Sequence, residues 1–330
     1  MRRSHIALGL LAAASIASPA QAASAQRAAS ADRSSAEGGT GTPDNGGAAY
    51  GEVSPRAEDN RPARKRSDRR RRRGSASGRP VLTDFAVSRR SFYAFGAPAR
   101  VSFRIDDRSD TVRVTLAIRR AGSSETIRRI DLGERATGTR HTVRVTGVEG
   151  GDPLPQGPIE LRIYATDSAG EKLRSSARAS SAAELAFYWH RFPLIGSYSY
   201  GGEDARFGAG RRGHSHQGQD LTAPEGTSVV APRGGVIQQV AYQAGGAGNY
   251  VILDGEGEDR DYAFMHLQEG STVVRTGQRV RTGQLLGRVG STGGSSGPHL
   301  HFEIWENGGW YEGGRPVDPY DHLKRWDSWS

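Results

Sequence analysis

Gly297-Pro298-His299-Leu300-His301-Phe302-Glu303 is the stretch from which the rest of the chain is best read. Large apolar and imidazole side chains alternate in it, and residues two apart on a β-strand project from the same face. As a strand, it sends His299 and His301 together into one cleft and turns Leu300 and Phe302 into a core. The segments around it have the same character. Gly226 to Ile237 and Gly277 to Gly290 are rich in β-branched residues and broken by glycines. These are short strands joined by tight turns, at which glycine supplies the backbone angles other residues resist. Helical periodicity is almost missing after Phe192. The fold class expected is all-β, with an antiparallel domain over 192–330.

Upstream, residues 80–176 show another all-β pattern. Val101, Phe103 and Ile105 alternate with polar residues, as do Val112, Val114, Leu116 and Ile118, and later Ile159, Leu161 and Ile163. Period-two runs broken by Gly, Pro and Asp indicate a half-buried antiparallel sandwich. The Pro153-Leu154-Pro155-Gln156-Gly157 turn, the run ending at Tyr164 and the Asp167-Ser168-Ala169-Gly170 turn resemble the last strands of an immunoglobulin-like domain. Residues 177–191 are expected as a connector, with a brief helix over Ala182–His190.

The N-terminus reads as an export signal over 1–22. Arg2 and Arg3 precede a short apolar run, Ile6 to Ala17, and Ala20-Gln21-Ala22 offers small residues for cleavage. That run is too short for a permanent membrane-spanning helix. Export places the protein outside the cytoplasm, secreted or in the cell envelope. Residues 23–79 are rich in Ala, Ser, Gly and Arg with few large apolar side chains, so a disordered segment is expected there. The net charge of +9 divides unevenly: 33 basic and 20 acidic residues up to 191 give +13, and 12 basic and 16 acidic from Phe192 onward give −4. The block Arg64 to Arg73 is suited to anionic wall polymers or lipid head groups by charge attraction, or else is a solvated linker. No aromatic residue is interleaved for base stacking, and export argues against nucleic acid as a partner.

The chain has no cysteine, which excludes disulfides, thiolate nucleophiles and sulfur-bound zinc. Any metal must be held by His, Asp or Glu. Seven of the nine histidines lie after residue 185. By itself an H-x-H pair specifies nothing. His216-Gln217-Gly218-Gln219-Asp220 adds an imidazole and a carboxylate, with Gly218 letting the backbone bend between them. Two imidazoles and one carboxylate form a catalytic type of zinc site, with three protein ligands and an open position. His216, Asp220 and one of the His299/His301 pair can fill that set, leaving the other histidine for proton transfer.

These motifs, with Phe264-Met265-His266-Leu267, Asn249-Tyr250-Val251, Gly283 to Gly287 and Pro316-Val317-Asp318-Pro319, resemble the lysostaphin-type (LytM-like) zinc metallopeptidases. The resemblance runs over residues 192–323. It implies an antiparallel β-fold with a narrow groove and one Zn2+ per chain, bound by His216, Asp220 and His301. It implies His299 as general base toward the attacking water, and His266 as a group that holds the tetrahedral intermediate or donates a proton. The implied activity is hydrolysis of peptide bonds in peptidoglycan stems or cross-links.

The sequence departs from the family at Phe264, where many relatives carry Tyr. His214, two residues before His216, creates a register ambiguity, settled for His216 by its x-Gly-x-Asp continuation. His141, His190 and His322 match no motif and are expected on the surface or in packing. The loops Gln243–Gly248, Gly293–Gly297 and Asn307–Gly314 flank the motif strands and are expected to line the groove. Trp310 and Tyr311 are expected to pack within their loop, with stacking on substrate as the functional alternative. A wall-binding or hydrolase-activating scaffold without catalysis is the competing class of function.

Overall fold

The computed structural model describes residues 78–148, 152–177, 179–211 and 213–330. The expected export signal and the Arg64–Arg73 block lie outside them. Nine strands come first: β1 (Val81–Val87), β2 (Ser91–Tyr93), β3 (Ala99–Asp106), β4 (Thr111–Arg120), β5 (Thr126–Ala136), β6 (Arg140–Val145), β7 (Gly157–Thr166), β8 (Arg174–Ser175) and β9 (Ala182–Tyr188). They form two sheets, ordered β6-β3-β1-β8 and β2-β9-β7-β4-β5, which is an immunoglobulin-like sandwich. The alternating residues of the sequence supply its interior: Val101, Phe103, Leu116, Ile118, Ile159 and Leu161 are almost fully buried.

The connector expected over 177–191 is corrected by β9. Ala182–Tyr188 pairs antiparallel with β7 and parallel with β2, so it is a sandwich strand and not a helix. Leu185 and Phe187, two residues apart, point into the core, where the Phe187 ring lies 5.1 Å from that of Phe92. Period two, not 3.6, sets this segment.

The C-terminal region holds β10 (Leu194–Ile195), β11 (Gly210–Arg211), β12 (His214–Ser215), β13 (Gln219–Thr222), β14 (Ser228–Val230), β15 (Gly235–Gln243), β16 (Gly248–Gly255), β17 (Arg260–Leu267), β18 (Arg279–Val280), β19 (Leu285–Arg288), β20 (His299–Glu306) and β21 (Arg315–Val317). Its main sheet runs β13-β20-β17-β16-β15-β18, and β21 continues the β13 edge of β20. One face of that sheet carries Leu221, Val251, Leu253, Tyr262, Phe264, Leu300 and Phe302 in a shared core. Helix α1 (Tyr320–Asp327) closes over this core with Leu323 and Trp326. Its eight residues bury only those two side chains, too few to leave a periodic signal in the sequence. Among the described residues no helix is long and apolar enough to cross a membrane.

The sandwich and the C-terminal sheet meet through polar and aromatic contacts. Thr282 Oγ1 donates to Ala94 O (2.5 Å) and accepts the Gly234 N–H (2.8 Å). The Arg233 guanidinium lies 4.9 Å above the Phe95 ring, and Tyr188 stacks on Trp329 at 4.7 Å. The metal-type cluster is built on the β13–β20 pair and not at this junction.

Candidate metal centre

Antiparallel pairing of β13 with β20 sets Asp220 opposite His301 and Thr222 opposite His299. The alternation then works as the sequence suggests: Leu300 and Phe302 enter the core while both histidines face the other side. His216 sits just before β13 and must fold back over the pair. Gly218 makes that possible by its size: a Cβ there would lie 2.5 Å from Phe302 O and 2.8 Å from His301 Nε2. Close approach of two strands, rather than a special backbone angle, is the reason for the glycine.

Three donor atoms converge. His216 Nε2 is 3.0 Å from Asp220 Oδ1 and 2.9 Å from His301 Nδ1, and His301 Nδ1 is 2.9 Å from Asp220 Oδ1. A tetrahedral ion with bonds of 2.0–2.1 Å separates its ligands by roughly 3.3 Å, so a slight opening of the triangle accommodates one. Both imidazoles are held by outer partners in the ligating orientation. His216 donates its Nδ1–H to Arg206 O (2.7 Å), and His301 donates its Nε2–H to Glu303 Oε1 (2.9 Å). Such partners fix the tautomer and leave the inward nitrogen with its lone pair. Arg211 Nη2 reaches Asp220 Oδ2 (3.3 Å) and Asp204 O (2.6 Å), leaving Oδ1 to the cluster.

The electrostatics favour a cation here. Burial alone would raise Asp220, but hydrogen bonds from His216 and His301 outweigh it and hold the carboxyl well below the usual carboxylate range. Burial would likewise lower His301, yet its bonds to Asp220 and Glu303 lift it to about 9. One positive charge shared between these groups is therefore stabilised, whether a proton or a metal ion supplies it.

Two further imidazoles line the same space. His299 donates Nδ1–H to Gly297 O (2.8 Å) and places Nε2 3.7 Å from Asp220 Oδ1. His266 donates Nδ1–H to Thr292 O (2.8 Å), and its ring centre is 4.7 Å from that of His299. His266 holds a positive φ of 61°, a conformation rare outside glycine and a form of strain that collects at functional sites. Burial, aided by the charges of His299 and His301, pushes its pKa down to about 4 against the pull of the Thr292 carbonyl. At neutral pH the resting His266 thus presents an acceptor at Nε2. The donor role implied by resemblance requires the ring to gain a proton during turnover.

Phe264 is fully buried against Phe302, ring centres 5.4 Å apart, so the missing phenol concerns the core side of β17. His214 is exposed on the β11–β12 hairpin. His190 is buried far along the sheet, bonded to Glu258 (2.9 Å) and stacked on Trp326 at 4.8 Å. Two of the expected groove loops are stitched into one wall, Gly294 N–H donating to Gly246 O and Asn249 N–H to Thr292 Oγ1. Sequence reasoning missed Glu303 and Arg211 as outer partners. Glu303 was open to discovery, since it lies two residues past His301 and so on the same strand face. Nothing local marks Arg211.

Residues 214–319 match peptidase family M23. Those residues are a peptidase family M23 domain. The chain is 35% identical over 149 residues to an L-Ala–D-Glu endopeptidase of Bacillus subtilis, covering 42% of this chain and 44% of that protein. It is 39% identical over 94 residues to the peptidoglycan DD-endopeptidase ShyC of Vibrio cholerae, covering 28% of this chain and 21% of that protein. The catalytic domain of lysostaphin from Staphylococcus simulans is 32% identical, with 38% of this chain and 92% of that one covered and a TM-score of 0.34. The chain spans less than half the length of both curated relatives. The M23 domain encloses all three cluster residues and both additional imidazoles.

Proposed function

We propose that residues 192–330 act as a zinc endopeptidase on peptide bonds of bacterial peptidoglycan, exported by the segment 1–22 and preceded by the basic stretch 23–79 and the sandwich. The observation that carries this reading is the convergence of His216 Nε2, Asp220 Oδ1 and His301 Nδ1 within 2.9–3.0 Å, with the Nε2 of His299 turned toward the same space. The peptidoglycan substrate is brought to this chain from the relatives, one of which is named a peptidoglycan DD-endopeptidase and another an L-Ala–D-Glu endopeptidase.

When bound, zinc supplies Lewis acidity toward the scissile carbonyl and toward water beside it. His299 has its Nδ1–H committed to Gly297 O, so its Nε2 is the nitrogen that takes the proton of the attacking water. The carbonyl carbon gains the oxygen, the C–N bond breaks, and His299 returns the proton to the leaving amine. His266, its ring centre 4.7 Å from that of His299, lines the same space, and a proton taken up at its Nε2 from solvent would let it donate to the developing charge. No covalent acyl-enzyme is needed, in keeping with a chain that has no cysteine.

The test is digestion of purified sacculi by the full-length protein. New amino groups should appear, a chelator should stop their release, and added zinc should restore it. Mass spectrometry of the fragments identifies the bond. Wall binding by zinc-loaded protein without release of amino groups would establish the scaffold alternative instead.

The charge split supports a division of labour, in which Arg64–Arg73 gathers the protein on anionic wall material and the acidic domain cuts. Exposed charges are screened over about 8–10 Å near physiological salt, so this attraction should fade as salt rises. Deleting residues 56–79 should weaken sedimentation with walls at low salt and leave turnover of a short soluble peptide nearly unchanged. Unaltered wall binding in the deletion, with unaltered salt dependence, would reduce the block to a linker.

A further inference from the structure

The loop between β20 and β21 reaches back to the metal cluster by two routes. Trp310 donates its indole Nε1–H to Glu303 Oε2 (3.1 Å), and Tyr311 donates its hydroxyl to Oε1 of Gln217 (2.8 Å), the residue that follows His216. Trp305, on β20 itself, also donates to Glu303 Oε2 (2.7 Å). Glu303 is 3% exposed, so its carboxylate depends on these partners and on His301. The loop is held taut. Asn307 and Tyr311, neither of them glycine, adopt positive φ of 62° and 53°, and the Trp310 N–H is anchored on Asp261 Oδ2 (2.8 Å). Strained non-glycine backbone persists only where its surroundings over-determine it.

The direction of hydrogen bonding in this chain is forced from its outer end. An indole can only donate, and a carboxylate accepts. With two indoles on Oε2, Glu303 keeps Oε1 for His301, whose Nε2 must then carry the hydrogen. Once a metal ion takes the place of the shared proton, that leaves the lone pair on Nδ1, the atom 2.9 Å from both Asp220 Oδ1 and His216 Nε2.

We infer that Trp310 is a positioning residue for the metal centre, fixing His301 in its ligating tautomer through Glu303. The inference rests on the zinc reading of the cluster. It makes the 307–314 loop part of the metal's support, and it gives Trp310 a role that its partly exposed loop position does not suggest.

The experiment compares Trp310→Phe and Trp310→Ala in the full-length protein. Phe keeps an aromatic ring beside Tyr250, whose centre is 5.5 Å from that of Trp310, and removes the N–H with part of the indole's bulk, whereas Ala removes the whole ring. Zinc affinity is measured by competition with a chromophoric chelator. Loss of an outer partner of a ligating histidine typically costs 10–100-fold in affinity, and with Trp305 still in place the lower end, about tenfold, is expected for both variants. In the cobalt-substituted protein, the exchangeable ring N–H signal of His301 should exchange faster in Trp310→Phe, while that of His216, held by Arg206 O, should not change. Such a signature is not produced by a general loosening of the loop. Wild-type zinc affinity in Trp310→Phe overturns the inference, and so does impairment confined to Trp310→Ala, which would assign the effect to packing. A wild-type protein that takes up no zinc fails the underlying reading, a result distinct from equal binding by wild type and variant.

Discussion

His301→Ala is expected to reduce bound zinc from about one per chain, the stoichiometry of a single three-ligand site, to a small fraction of that. Peptide cleavage should fall to background with it. The side chain contributes more than one ligand atom's worth of order to the cluster. Its Nδ1 is 2.9 Å from both other donor atoms, and it provides one of the two imidazole hydrogen bonds that hold Asp220 ionised. Its removal leaves His216 and Asp220, a pair without the third corner of the triangle. Elemental analysis after gel filtration, with circular dichroism to verify folding, reads the effect. Full zinc retention by folded His301→Ala would falsify the ligand assignment.

His299→Ala is expected to separate binding from chemistry. Nε2 of His299 stands 3.7 Å from Asp220 Oδ1, outside the 2.9–3.0 Å triangle, and no carboxylate supports its outer nitrogen as Glu303 supports His301. The variant should therefore keep its zinc while kcat/KM drops by about 10²–10⁴, the usual loss when a positioned general base is removed. Zinc content and turnover must be measured on the same preparation. Loss of the metal from His299→Ala, with retention in His301→Ala, would exchange the roles of the two histidines.

Much of the candidate site was legible because it is written in local periodicity. His299 and His301 share a face since strand side chains alternate, and Leu300 and Phe302 enter the core for the same reason. The segment Ala182–Tyr188 shows how such reading fails. Its apolar residues Leu185 and Phe187 do alternate, but the run is short and alanine-rich, and strand pairing with β7 and β2 decided what propensity left open. The C-terminal helix went unseen because it buries two residues only.

The sequence alone determined the all-β architecture, the set of imidazoles and carboxylate available for a metal, and the exclusion of sulfur chemistry. Those follow from residue type and a period of two, which any short window contains. Tertiary structure decided the rest. The β13–β20 register, between strands some 80 residues apart, put Asp220 opposite His301 rather than His299. The reach of a strained loop brought Trp310 onto Glu303, and the register shift between β16 and β17, where Met265 and His266 stand opposite Tyr250 alone, left His266 at a positive φ with its Nδ1–H on the Thr292 carbonyl. Each of these depends on which strand lies beside which. That pairing is fixed by burying the shared core, a property of the whole sheet that no local stretch of sequence carries.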